Sequence, residues 1–147
     1  MDALSLLKDD HDKVKKMLNE LDETTERAVK TREEVFTKLK RELEIHETIE
    51  EEILYPALKK HAEAKDIVLE AFEEHDVVNM ILGQLVETPY DDETWGAKLT
   101  VMKENLEHHI EEEEDDMFKK ARDIFDRDVL VELGEEMAAR KEELKAA

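Results

Sequence analysis

Two stretches of this chain, Glu44-Ile45-His46-Glu47-Thr48-Ile49-Glu50 and Glu107-His108-His109-Ile110-Glu111-Glu112-Glu113, each set a histidine four residues ahead of a glutamate, and they lie 63 residues apart. On an α-helix that spacing stacks imidazole and carboxylate on one face, one turn apart. Each pair is half of a metal site already aligned by its helix, and a whole site requires a fold that brings two helices face to face. The repeat also has a leading arm. Asp9-Asp10-His11-Asp12 with Val14, Leu18 and Leu21 returns as Glu73-Glu74-His75-Asp76 with Val78, Leu82 and Leu85, offset by 64. A helical hairpin used twice is the simplest reading.

Composition narrows the frame. Three glycines, two prolines and no cysteine in 147 residues leave long helices, with no thiolate ligands or disulfides. The length suits one domain spanning 1–147. A net charge of −20 repels nucleic acid and anionic membranes and concentrates cations. No apolar run approaches the roughly 20 residues that cross a bilayer, and Met1-Asp2-Ala3-Leu4 lacks the basic and apolar parts of a signal peptide. A cytoplasmic protein is expected.

Apolar periodicity places five helices. The first, about 3–28, carries Leu4, Leu7, His11, Val14, Leu18 and Leu21 on its seam. A capping box, Thr31-x-x-Glu34, opens the second, which runs to about His61 with Val35, Leu39, Leu43, His46, Glu50, Ile53 and Ala57 inward. Pro56 predicts a kink at Tyr55-Pro56. The third, from about Ala64, buries Val68, Ala71 or Phe72, His75, Val78, Leu82 and Leu85. After the loop Thr88-Pro89-Tyr90-Asp91-Asp92, a fourth helix capped by Asp92 carries Trp95, Leu99, Met102, Leu106, His109, Glu113 and Met117. A shorter helix from about Asp128 to about Leu144, with Val129, Leu133, Met137 and Leu144 inward, covers one end or side. The fold is all-α: an up-down-up-down four-helix bundle over about 3–120 with a short C-terminal fifth helix at about 128–144.

Counting from each histidine to its nearest turn leaves mismatches of roughly 3 to 6 Å at 1.5 Å of rise per residue. His11, His46, His75 and His109 therefore share one layer, with Glu50 and Glu113 projecting into the next. Buried carboxylates need a counter-charge, and no lysine or arginine lies on these stripes. Four imidazoles and two carboxylates are too many for one tetrahedral zinc; they suit two metals sharing the carboxylates. Nitrogen and oxygen donors point to iron or manganese, and the histidine content favours iron. His46-Glu47-x-x-Glu50 lacks the second histidine of a zinc-protease motif.

Other residues carry plainer readings. His108 points about 100° away from His109 and belongs to the surface or behind the ligands. His61 belongs to a helix C-terminus, where the dipole favours it. Glu111 to Asp116 form a solvated face, Glu113 excepted. Met17, Met80, Met102 and Met117 fill the core, and Trp95 packs at the bundle end. Tyr55 lies nine residues after His46, opposite the site on a straight helix. A kink at Pro56 redirects it inward, either onto a carbonyl freed by the proline or onto the metals, as an oxygen ligand or a hydrogen-bond donor.

The order His11, His46-x-x-x-Glu50, His75, His109-x-x-x-Glu113 resembles the hemerythrin HHE cation-binding domain over about residues 3–120. The resemblance implies two iron ions with an oxo or hydroxo bridge and with Glu50 and Glu113 as bridging ligands. Oxygen-carrying hemerythrins have a second histidine in the third helix where this chain has Asn79, and a longer His-to-Asp spacing in the last. With one imidazole fewer, the chain looks closer to hemerythrin-like bacterial proteins that handle peroxide, nitric oxide or iron. The implied activity is reaction with hydrogen peroxide, oxygen or nitric oxide, catalase-like or peroxidase-like, for detoxification or sensing. An iron-binding or storage module without turnover, and a metal-free bundle with core histidines, are the alternatives.

Overall fold

The computed structural model describes residues 1–147. Helix α1 (Ala3–Asp22) starts where Asp2 accepts from the Ser5 backbone N–H at 2.9 Å. It ends earlier than its apolar pattern predicts, and a turn leads to α2 (Val29–Ile49). The Thr31 capping box does not form: α2 begins after Ala28 without a side-chain cap, and Thr31 lies inside the helix. Helix α2 continues through a π turn (Glu50–Leu54) into α3 (Tyr55–Lys59). Helix α4 (Ala62–Glu87) returns along the bundle, and α5 (Glu93–Glu112), capped by Asp92 at Thr94 N–H (2.7 Å), runs through a second π turn (Glu113–Met117) into α6 (Phe118–Ile124). Helix α7 (Arg127–Ala146) follows, capped by Asp126.

Helices α1 and α2 pack as one hairpin, α4 and α5 as the other; α1 meets α5 and α3 meets α4, which closes the four-helix bundle. The seam residues that the periodicity names on α1, α4 and α5 are buried, and Leu6, Asp10, Ile81 and Ile110 are buried beside them. In the second rod the pattern slips after Glu50: Leu54, Tyr55 and Leu58 are buried, while Ile53 and Ala57 are only partly covered. The π turn is the reason. Its i→i+5 bond, Tyr55 N–H to Glu50 carbonyl, inserts one residue and rotates everything downstream by about 100°. No kink-forming departure occurs at Tyr55, whose φ of −61° and ψ of −44° are helical.

Helix α7 is as long as α1 and lies against α1 and α2. Its buried stripe is Leu130, Gly134, Met137 and Lys141, not the Val129–Leu133 stripe of the apolar pattern. The core falls into two clusters, one with Leu7, Ile49, Leu54, Tyr55 and Ala71, the other with Val14, Leu43, Val78, Leu106 and Trp95. On the first three rods the histidine lies between them in sequence, and on the fourth His109 and Glu113 precede the first cluster's Met117, so a polar layer divides the core. Met102 and Met117 are core residues, but Met80 is 60% exposed. No helix is long and apolar enough to cross a membrane.

Candidate metal centre

The repeat becomes a pseudo-symmetric site. His11 from α1 and His46 from α2 stand edge to face with ring centres 4.9 Å apart, and His75 from α4 and His109 from α5 do the same at 4.9 Å. Glu50 and Glu113 do not occupy a separate layer, as the spacing predicts, but lie between the pairs. Glu50 Oε1 is 3.2 Å from His46 Nε2 and 3.3 Å from His75 Nε2. Glu113 Oε1 is 3.1 Å from His11 Nε2, and its Oε2 is 3.4 Å from His109 Nε2. Each carboxylate thus touches one histidine of either half. All six side chains are buried.

Every imidazole is held from behind. Nδ1 of His11 faces Glu114 (2.7 Å), that of His46 faces Asp10 (3.1 Å), that of His75 faces Glu51 (2.8 Å), and that of His109 faces Glu74 (2.9 Å). A carboxylate on Nδ1 takes the N–H and leaves Nε2 with its lone pair inward, the arrangement a metal-binding histidine needs. These four carboxylates escape a search for apolar stripes. Glu114 in particular belongs to the site, not to the solvated face, although Asp115 and Asp116 are exposed as expected.

The inward atoms do not satisfy one another. His11 Nε2, His46 Nε2, His109 Nε2, both Glu50 oxygens and Glu113 Oε1 are buried without a hydrogen-bond partner. The 3.1–3.4 Å approaches around them are not angled to share a proton. Orphaned polar atoms of this kind cost roughly 1–3 kcal/mol each unless something else binds them. Donor atoms of His11, His46, Glu50 and Glu113 lie within 4.8 Å of one another, as do those of Glu50, His75 and His109. Two sets of nitrogen and oxygen donors sharing Glu50 fit a pair of cations.

In the protein alone, burial works against charge on the imidazoles, but the carboxylates outweigh it. His46 is held well above its ordinary value by Glu50, Asp10 and Glu113; His75 is raised by Glu50 and Glu47; His109 is raised to about 10 by Glu113, Glu74 and Glu50. Burial likewise opposes charge on Glu113, yet contacts with Glu50, His109 and His11 hold it well below the usual carboxylate range.

Tyr55 reaches the site. Its hydroxyl donates to Glu113 Oε2 at 2.7 Å and lies 3.3 Å from His75 Nε2, so it caps no backbone carbonyl. The inward turn comes from the π turn rather than a proline kink. Burial, with Glu113 and Glu50 beside it, pushes the phenol well above its ordinary 10. Asn79 is exposed beside Glu47, a buried carboxyl that the sequence pattern does not single out and that burial pushes up. His108 is a surface residue paired with Glu112 at 2.9 Å. His61 lies just past the C-terminus of α3, its backbone N–H on the Leu58 carbonyl at 2.9 Å, and is also the N-cap of α4, edge-on to Phe125. Trp95 is fully buried in its cluster with the Arg32 guanidinium 4.6 Å over its ring.

A helical bundle whose four imidazoles and two carboxylates converge between its halves defines a cation-binding helical protein. The sequence pattern of the hemerythrin HHE cation binding domain matches residues 2–121, and the chain belongs to that family. Rv2633c of Mycobacterium tuberculosis, an uncharacterised protein, is 32% identical over 148 residues, covering 100% of this chain and 89% of its own length; an uncharacterised Mycobacterium bovis protein matches equally. The crystal structure of a hemerythrin HHE cation binding domain-containing protein from Mycobacterium kansasii, an Rv2633c homologue, superposes with a TM-score of 0.87. It is 33% identical over 99% of this chain and 88% of its own.

Proposed function

We propose that this chain is a non-haem di-iron protein that reacts with a small oxidant, hydrogen peroxide or nitric oxide before oxygen, in cytoplasmic detoxification or sensing. The observation that supports it is the pair of carboxylates, Glu50 and Glu113, each in contact with one histidine from either half among imidazole nitrogens that lack a proton partner. Two iron ions held there would supply a two-electron couple and a place for a small molecule to bind.

The chain's own residues do the rest. His11 and His46 would hold one metal, His75 and His109 the other, and Glu50 and Glu113, which contact both halves, would serve both. Asp10, Glu51, Glu74 and Glu114 keep the ring N–H groups outward. Tyr55 supplies an oxygen beside His75, on the side where Asn79 provides no imidazole. The apolar clusters on either side exclude bulk water and larger substrates. Manganese is the second choice by donor type.

The test is metal analysis of freshly purified protein together with its optical spectrum and its behaviour towards peroxide and oxygen. Two irons per chain, peroxide consumption and no reversible oxygen adduct are expected. A single zinc at full occupancy sinks the di-iron reading, and a stable reversible oxygen adduct sinks the preference for peroxide. Tight, reversible iron binding with negligible turnover points to an iron-binding module instead.

A further inference from the structure

The equivalence of the two halves extends to the carboxylates behind the imidazoles. Glu51 behind His75 corresponds to Glu114 behind His11, and Asp10 behind His46 to Glu74 behind His109. One of the four stands in a different environment. The side chains of Glu51, Glu74 and Glu114 are 36%, 27% and 18% exposed, whereas that of Asp10 is 1% exposed. The first three reach solvent. Asp10 has Lys141 instead, an ammonium buried with it. Its equivalent Glu74 has no lysine or arginine partner, and Glu114 has only the half-exposed Lys8 at 3.7 Å.

Lys141 comes from α7, outside the residues 2–121 that the family pattern covers. It is firmly seated. Gly134 lets α7 lie directly on the N-terminus of α1, Arg41 donates to the carbonyls of Leu144 and Lys145 at 3.1 and 2.9 Å, and Arg140 pairs with Glu52 at 3.2 Å. Lys141 takes Oδ1 of Asp10, and His46 Nδ1 takes Oδ2. With both oxygens engaged, the carboxylate plane is fixed and so is the ring it holds.

We propose that Lys141 is a positioning residue for the His11/His46 half of the metal centre, anchoring the Asp10 carboxylate that orients His46. The inference rests on the two-metal reading above. Lys141 also offsets the negative charge of Asp10, so His46 is backed by a carboxylate paired with lysine and His109 by one without a lysine or arginine partner. Residues behind a ligating histidine typically change metal affinity 10- to 100-fold. The two metal positions are therefore unequal, and the C-terminal helix makes them so.

The test is anaerobic titration with Fe(II) and release into a chelator, with 57Fe Mössbauer spectra of the loaded protein, for wild type, Lys141→Met and Lys141→Arg. In Lys141→Met one of the two irons is expected to bind about 10- to 100-fold more weakly and its spectral component to shift, the other remaining as in wild type. Lys141→Arg, which keeps a cation within reach of Asp10, restores most of the affinity. Because Lys141→Met strands a buried charge and risks the fold, Lys141→Met/Asp10→Asn is measured beside it. That double variant has no unpaired charge and shows the same one-site weakening. Equal weakening of both irons, or wild-type affinity in the double variant, overturns the proposal. A wild-type chain that takes up no second metal overturns the two-metal reading itself, and this inference with it.

Discussion

Tyr55 and Phe118 are the same residue position in the two halves of the molecule. Each opens the helical segment that follows a π turn, and each lies over a histidine: Tyr55 on His75 at 5.5 Å and 30°, Phe118 on His11 at 6.1 Å and 12°. Only Tyr55 carries a hydroxyl, and that hydroxyl donates to Glu113. The π turns begin at Glu50 and Glu113 themselves, so one local irregularity both places the shared carboxylate and turns the next aromatic ring inward.

Tyr55→Phe makes the two halves alike. Because phenylalanine already packs at the equivalent place, the fold and most of the iron are expected to remain. As an oxygen ligand to ferric iron Tyr55 would give a visible charge-transfer band, and as a hydrogen-bond donor to bound peroxide it would speed turnover; the variant should lose the band in the first case and part of its peroxide rate in either. An unchanged spectrum and rate would return Tyr55 to the scaffold.

Glu50→Ala or Glu113→Ala removes a carboxylate that touches both halves. Metal content is expected to fall at both positions together rather than from two to one. Elemental analysis after desalting reads this directly, and clean retention of a single tightly bound metal would contradict it.

The six inward residues were recoverable from sequence because they repeat at a fixed offset and lie on apolar stripes. Three other features were not, for physical reasons. A π turn leaves no compositional mark, so a strict 3.6-residue period assigned Ile53 and Ala57 to positions that Leu54 and Leu58 take. The inner stripe of α7 was hidden because two of its four members, Gly134 and Lys141, are not apolar. Asp10, Glu51, Glu74 and Glu114 were lost among solvated charges, although each directly adjoins a site residue and obeys the repeat.

Metal removal and pH act with opposite signs. In the metal-free protein His46, His75 and His109 have raised values, His109 about 10, against an ordinary 6.5. Groups raised on folding contribute stability that is fully present below the unfolded value and is lost as pH rises through the folded one. Metal-free protein should therefore melt higher near pH 6 than near pH 10. The loaded protein should lose metal, and melting temperature with it, on acidification, because protonated imidazoles cannot ligate. Thermal melts with and without a chelator across this range check both. A metal-free protein that melts like the loaded one at neutral pH would show that the layer needs no metal.

The seat of α7 makes the last prediction. A Cβ at Gly134 would lie 2.3 Å from the Met1 carbonyl oxygen and 2.7 Å from the Ala3 nitrogen, both backbone atoms that cannot swing aside. Gly134→Ala must lift α7 from α1, with an overpacking cost of about 1–3 kcal/mol. A Cβ at Gly83, near the C-terminal end of α4, meets nothing within 4 Å. Gly83→Ala should therefore gain roughly 0.5–1 kcal/mol from helix propensity alone. Chemical denaturation of the two variants separates these effects. Because α7 carries Lys141 to Asp10, Gly134→Ala should also weaken metal binding, which Gly83→Ala leaves untouched. Equal stability in both variants would mean that α7 does not rest on the N-terminus as described.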